Sequence, residues 1–68
     1  MADKVYKLTE VVGTSSKSFA AATEAAVEKA AETLRNLDWF EVTDMRGRVE
    51  KGKVSQFQVT VKIGFRLD

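Results

Sequence analysis

The strongest constraint on the fold is a regular alternation of apolar and polar residues over residues 54–67. Successive side chains of a β-strand point to opposite faces, so this run predicts a long strand with one apolar and one polar face. The apolar face comprises Phe57, Val59, Val61, Ile63, Phe65 and Leu67, and the polar face Gln56, Gln58, Thr60, Lys62, Gly64 and Arg66. The chain must therefore supply a layer that covers the apolar face.

The rest of the sequence predicts two more strands and one helix. Residues 4–12 are rich in Val, Tyr and Thr and predict a first strand. Residues 16–36 contain neither Gly nor Pro and predict a helix, with a serine of the preceding 13–16 turn as its N-cap. Residues 39–50 predict a second strand with a bend or bulge at Gly47, and residues 51–53 predict a hairpin turn.

The order β-α-β-β predicts an α+β fold. A right-handed crossover makes the first two strands parallel, and the hairpin makes the third antiparallel to the second. With the third strand in the middle, the sheet is fully antiparallel in the order 1-3-2. The helix presents one stripe of small and apolar residues at helical spacing, which we expect to cover the apolar face. That stripe comprises Phe19, Thr23, Ala26, Val27, Ala30, Leu34 and Leu37.

The composition favours assembly and binding over catalysis. The chain has 68 residues, which predicts a single domain over 1–68, and a domain of this size is marginally stable alone. It has no cysteine for a disulfide and no histidine, so we expect oligomerisation to stabilise it. The same absences exclude a Ser-His-Asp triad, a cysteine nucleophile and a histidine base. A metal site would need carboxylates alone, which suit hard cations.

Charge and hydropathy give no indication of nucleic-acid or membrane partners. The 11 basic and 10 acidic residues leave a net charge of +1. Binding of nucleic acid usually needs a marked basic excess. No apolar run approaches the ~20 residues of a membrane span, and no signal peptide is recognisable. We therefore expect a cytoplasmic protein.

Two residues of the predicted sheet could contact a ligand. If Phe40 and Val42 face the helix, then Trp39 and Glu41 face outward. Trp39 is the only tryptophan in the chain, and its flat ring can serve a subunit interface, stack on a ligand ring or simply be exposed. Gln58 on the polar face carries both donor and acceptor groups, which can match the edge of a heterocycle. An ordinary exposed strand residue is the alternative for Gln58.

Three arginines form a second candidate group. Arg46 and Arg48 flank Gly47, and Arg66 lies near the end of the chain. Guanidinium groups match phosphate and carboxylate oxygens, so these arginines could form either an anion site or salt bridges between subunits. The sequence contains no glycine-rich phosphate-binding loop.

Several segments together resemble the dodecin family. They are KVYK, VVGTSS, LDWFEV, MRGRV and QFQVTVKIGFRL, in this order between about Lys4 and Leu67. The resemblance implies a hollow homododecamer that binds flavins in pairs on two-fold axes between subunits. It implies that Trp39 stacks on the isoalloxazine ring, that Gln58 hydrogen-bonds its polar edge and that Arg46 lies near the pocket.

The resemblance further implies a function in flavin storage and sequestration. The expected ligand is FMN or riboflavin, and coenzyme A is a candidate second ligand. Stacking on an electron-rich indole should quench flavin fluorescence and photochemistry. The alternatives are a flavin-dependent oxidoreductase and a structural oligomer without ligand. An outward Glu41 could pair with an arginine of another subunit.

Overall fold

The elements follow one another in the order β-α-β-β in the computed structural model, which describes residues 3–68. Strand β1 spans Tyr6–Ser15, helix α1 spans Phe19–Ala31, strand β2 spans Leu37–Glu50 and strand β3 spans Lys53–Arg66. β3 pairs antiparallel with both other strands, so the sheet has the order β1-β3-β2. The predicted α+β fold and the strand order 1-3-2 are confirmed.

The core lies between β3 and the small residues of α1. Val59, Val61 and Ile63 alternate along β3 and are buried, as the periodicity predicts. They pack against three buried alanines of the helix, namely Ala22, Ala26 and Ala30. Half-buried apolar residues surround this cluster: Val11, Phe19, Val27, Leu34 and Leu37. Small alanine side chains let the helix lie close to the sheet, which is where most of the apolar burial of the chain occurs.

The helix begins later than predicted. β1 continues through Gly13 to Ser15, so the predicted turn at 13–16 is wrong. Ser18 is the N-cap, and its hydroxyl accepts a hydrogen bond from the Ala21 amide at 3.0 Å. A Cβ atom on Gly13 would lie within 3.0 Å of the Ala22 carbonyl oxygen, so glycine allows β1 to pass directly beneath the helix.

The helix also ends earlier, at Ala31 instead of residue 36. The amides of Thr33 and Leu34 both donate to the Ala30 carbonyl, which closes the last turn. Asn36 has a positive φ of 64°, a conformation that asparagine tolerates and that no α-helix continues through. Leu34 and Leu37 therefore lie outside the helix but still pack against the core.

The β2–β3 hairpin turns at Lys51 and Gly52, both with positive φ. Such two-residue turns match the twist of the flanking strands. Gly47 pairs regularly with Phe57, so the predicted irregularity at Gly47 is wrong. The pairing of β2 with β3 instead shifts near Asp38, near Thr43 and between Arg48 and Val49.

The helix covers β1 and β3 but leaves β2 uncovered. Phe40, Val42 and Met45 pair with the buried residues of β3 and so lie on the helix side of the sheet. They are nevertheless exposed, at 53, 39 and 54%. We call these three residues the β2 apolar row. The expectation that the helix covers the apolar face holds for β3 but not for β2. One helix is ~10 Å across and covers about two strands spaced ~4.8 Å apart, so β2, at the far edge of the sheet, lies beside it.

Among residues 3–68, no helix has the length and apolarity that crossing a membrane requires.

Candidate functional site

The candidate site lies on the sheet face opposite the helix, which we call the open face. Among residues 3–68 no element covers it, and cross-strand pairing arranges its side chains in rows. Along the sheet these rows are Leu8–Gly64–Trp39, Glu10–Lys62–Glu41, Val12–Thr60–Asp44 and Thr14–Gln58–Arg46. One end of the face is therefore apolar and aromatic, the second row is charged and the far end is polar.

Trp39 lies flat on the backbone of β3. It pairs with Gly64, where an added Cβ would come within 3.0 Å of three consecutive ring atoms, Cε2, Cζ2 and Cη2, at nearly equal distances. A point equally distant from three atoms of a six-membered ring lies on the axis through the ring centre. The six-membered ring therefore stands face-on over Gly64. Because Trp39 is still 44% exposed, the other ring face points away from the sheet.

Tyr6 borders the indole. Its ring centroid is 5.0 Å from that of Trp39 and the planes are inclined by 60°, an edge-to-face contact. The pKa of the Tyr6 hydroxyl is raised, chiefly because the phenol can donate a hydrogen bond to the carboxylate of Asp38. Loss of hydration and the negative charge of Asp38 add to this effect, and Arg66 opposes it. Asp38 is the extra residue where the pairing of β2 shifts before Trp39.

Gln58 and Arg46 are directly bonded at the polar end. Arg46 Nε donates to Gln58 Oε1 at 3.0 Å, and Gln58 Nε2 donates to Gln56 Oε1 at 2.7 Å. The Arg46 guanidinium also lies 4.0 Å from the carboxylate of Asp44. A carboxamide has two donor hydrogens and two acceptor lone pairs, so one of each remains on Gln58 for a ligand. The charged donor on Oε1 also fixes which end of the amide is oxygen.

The structure confirms that Trp39 and Gln58 face away from the helix, but it does not bring them together. Trp39 pairs with Gly64 on β3. Gly64 and Gln58 are six residues apart on that strand, which corresponds to ~20 Å. This exceeds the length of a flat three-ring heterocycle. Trp39 and Gln58 of one chain therefore do not line a common pocket.

The three arginines do not converge within one chain. Arg46 and Arg48 lie in neighbouring rows, opposite Gln58 and Gln56. Arg66 lies at the other end of β3, opposite Tyr6. An anion site built from all three arginines of a single chain is therefore excluded. Glu41 lies on the open face opposite Lys62, next to the Trp39 row.

Three residues of the site went unrecognised in the sequence. The alternation predicts only that Gly64 lies on the polar face, although a glycine inside a strand often marks the close approach of another group. Tyr6 and Asp38 reach Trp39 only through the pairing of β1 with β3 and the irregularity of β2, which the sequence pattern does not reveal.

The described residues offer neither a metal centre nor a deep pocket at Trp39. No group of three or more carboxylates within 3–68 is arranged to hold a metal ion. The hollow that Trp39 borders, together with Leu37, Phe40 and Ile63, has a volume of about 140 Å³. Ligand pockets usually measure ~300–1,000 Å³. This hollow is on the helix side of the sheet, because Leu37, Phe40 and Ile63 face the helix. On the open face no element of residues 3–68 covers Trp39, so a ligand there needs a second surface to enclose it.

Comparison with known proteins identifies relatives over nearly the whole chain. The sequence model of the family described as Dodecin matches residues 5–68. The dodecin of Thermus thermophilus is 49% identical over 65 residues, which covers 96% of this chain and 94% of that protein. The dodecin structure from Streptomyces coelicolor has a TM-score of 0.94 at 51% identity and covers 100 and 97% of the two chains. That from Streptomyces davaonensis has a TM-score of 0.94 at 43% identity, covering 98% of each.

Proposed function

The chain belongs to the dodecin family, and we propose that it binds flavin between its subunits and stores it. Flavin binding is a general property of this family, whose members assemble as oligomers and are not, in general, enzymes. The observation that carries the proposal is the orientation of Trp39. Its indole has one face against Gly64 and the other face turned outward on an uncovered sheet surface.

Such a surface suits a flat aromatic ligand. Stacking of one aromatic ring on another contributes about 0.5–1.5 kcal/mol beyond the burial of its area. The proposal includes the stacking that the family resemblance implies, two flavins between two tryptophans, so each isoalloxazine would bury both faces. A ring covered on both faces offers no side from which a hydride donor could approach, which favours storage over turnover.

The polar edge of the isoalloxazine would be recognised by Gln58. In one chain Gln58 is ~20 Å from the Trp39 row, so we propose that the Gln58 concerned belongs to a subunit other than the one supplying Trp39. Its remaining donor and acceptor match an edge that presents both groups. Arg46 contributes by holding the Gln58 amide in one orientation.

The natural ligand is proposed to be FMN or riboflavin, with FMN favoured by the basic side chains available for its phosphate. Coenzyme A as a second ligand stays a prediction. Assembly into a homododecamer is supported by the β2 apolar row, because three exposed apolar residues in line on a small protein indicate a contact surface. A cytoplasmic location is part of the same proposal.

Size-exclusion chromatography of the protein mixed with FMN tests the function. We expect flavin absorption to elute with a particle much larger than the 7.6 kDa monomer and flavin fluorescence to be quenched. Trp39→Ala should preserve the large particle and lose the flavin, whereas Leu8→Ala, in the same row, should retain both.

A large particle that carries no flavin absorption, with flavin fluorescence unquenched, would refute flavin storage. The protein would then be a structural oligomer without this ligand. Dissociation of the Trp39→Ala particle would show that this residue serves the interface. Steady oxidation of NADH or NADPH that depends on bound flavin would instead establish an oxidoreductase.

A further inference from the structure

We propose that Gly64 and Tyr6 are positioning residues that hold Trp39 flat on the sheet and thereby restrict the site to planar ligands. The inference rests on the proposed function, because it concerns the same indole. It assigns the selectivity of the site to two residues on β1 and β3, neither of which is adjacent to Trp39 in sequence.

Gly64 sets the tilt of the indole. Any side chain at this position would place its Cβ on the axis of the six-membered ring, within 3.0 Å of ring atoms. The ring would have to lift or tip, because β3 is the central strand and its backbone is held by hydrogen bonds on both sides. Glycine therefore allows the indole to lie flat on the strand. Glycine weakens a strand interior, so its presence here needs such a reason.

Tyr6 limits rotation of the indole on the sheet surface. Its ring makes an edge-to-face contact with the indole, with the ring centroids 5.0 Å apart, and the neighbouring Asp38 carboxylate raises the pKa of the phenol. On the other side along the strands stands the charged row of Glu10, Lys62 and Glu41. A ligand stacked on the indole would therefore lie between the ring of Tyr6 and the charged row, and stacking on a flat, immobile indole favours a planar ring system over a bulky one.

The test measures Trp39 with and without flavin. Trp39 is the only tryptophan, so its fluorescence anisotropy decay reports the mobility of this ring in the free protein. The variants are Gly64→Ala and Tyr6→Leu, with Tyr6→Phe as the conservative change and Thr60→Ala, two rows away on the same strand, as the control. Particle size is followed by sedimentation velocity, and FMN affinity by fluorescence quenching.

We expect Gly64→Ala to increase indole mobility and to weaken FMN binding at least tenfold with particle size unchanged. Tyr6→Leu should increase mobility and weaken binding by about two- to tenfold, the range that one aromatic contact supplies. Tyr6→Phe keeps the ring and should restore both readouts to near the wild-type values. Thr60→Ala should match the wild type in all three measurements.

Wild-type mobility and affinity in Gly64→Ala would overturn the assignment of Gly64, and the same result in Tyr6→Leu would overturn that of Tyr6. If Gly64→Ala fails to assemble, Tyr6→Leu tests whether neighbouring residues position Trp39. This variant should still fold, because Tyr6 is on an edge strand and outside the core. If the wild type binds no FMN, the proposed function fails, while the anisotropy of the free protein still decides whether the two residues position Trp39.

Discussion

Replacement of Arg46 by alanine should weaken the binding of riboflavin and FMN by the same factor. Arg46 Nε donates to Gln58 Oε1 at 3.0 Å, and the arginine side chain is 62% exposed in the free chain. In that setting the bond contributes at most ~1 kcal/mol, because water competes for both groups. Once a bound flavin excludes water, a hydrogen bond to a charged group contributes about 1.5–3 kcal/mol. The difference, ~1 kcal/mol, corresponds to about fivefold in affinity.

The assay is quenching of flavin fluorescence, titrated in parallel with riboflavin and FMN. The two ligands differ by the phosphate, so a residue that acts through Gln58 affects both equally. In a Gln58→Ala background, Arg46→Ala should cause no further loss of riboflavin affinity. Arg48→Ala is the matched control, since Arg48 lies one row away opposite Gln56. Unchanged riboflavin binding with weakened FMN binding would refute the reasoning and show that Arg46 binds the phosphate.

Three further changes probe other parts of the molecule. Gly13→Ala forces a methyl group against the Ala22 carbonyl and should destabilise the fold by about 1–3 kcal/mol, measured by urea denaturation; an unchanged midpoint would mean that the helix shifts freely. Asp38→Asn removes the carboxylate that raises the pKa of Tyr6, so the ultraviolet titration of this single tyrosine should shift toward 10.0; no shift would exclude their interaction. Because that pKa is raised in the fold, its contribution to stability is present below pH 10.0 and is lost as the pH rises through the folded value. Phe40→Asp places a charge in the β2 apolar row and should reduce the particle size in sedimentation; an intact large particle would place the subunit contacts elsewhere.

The strand order was predictable because the clearest pattern in the sequence, the alternation of apolar and polar residues over 54–67, belongs to the central strand. The alternation around Val59, Val61 and Ile63 specifies both the strand and its buried face, and the turn at Gly52 specifies the hairpin. The ends of the helix were harder to predict from the sequence. Ser15 and Ser18 are both acceptable caps, and only the extra pairing of β1 with β3 decides that the strand continues to Ser15.

The sequence identified Trp39, Gln58 and Arg46 as candidates, but neither Gly64, Tyr6 and Asp38 nor the arrangement of the candidate site. The outward orientation of Trp39 and Gln58 follows from the period of two along each strand. Their separation, and the bond between Arg46 and Gln58, depend on the register of β2 against β3, which shifts at three places. Each shift moves the facing residues by one position, and no local pattern fixes where it occurs.

The core of a single chain is small, and this determines how the protein behaves on dilution. Among residues 3–68 the buried hydrophobic cluster has six members, three of them alanines, so the apolar area that one chain removes from water is modest. If neighbouring chains supply the remaining burial, folding and association form a single equilibrium governed by mass action. The unfolding temperature should then rise with total protein concentration, and dilution alone should favour the unfolded chain. Any flavin held between subunits would be released by the same dilution.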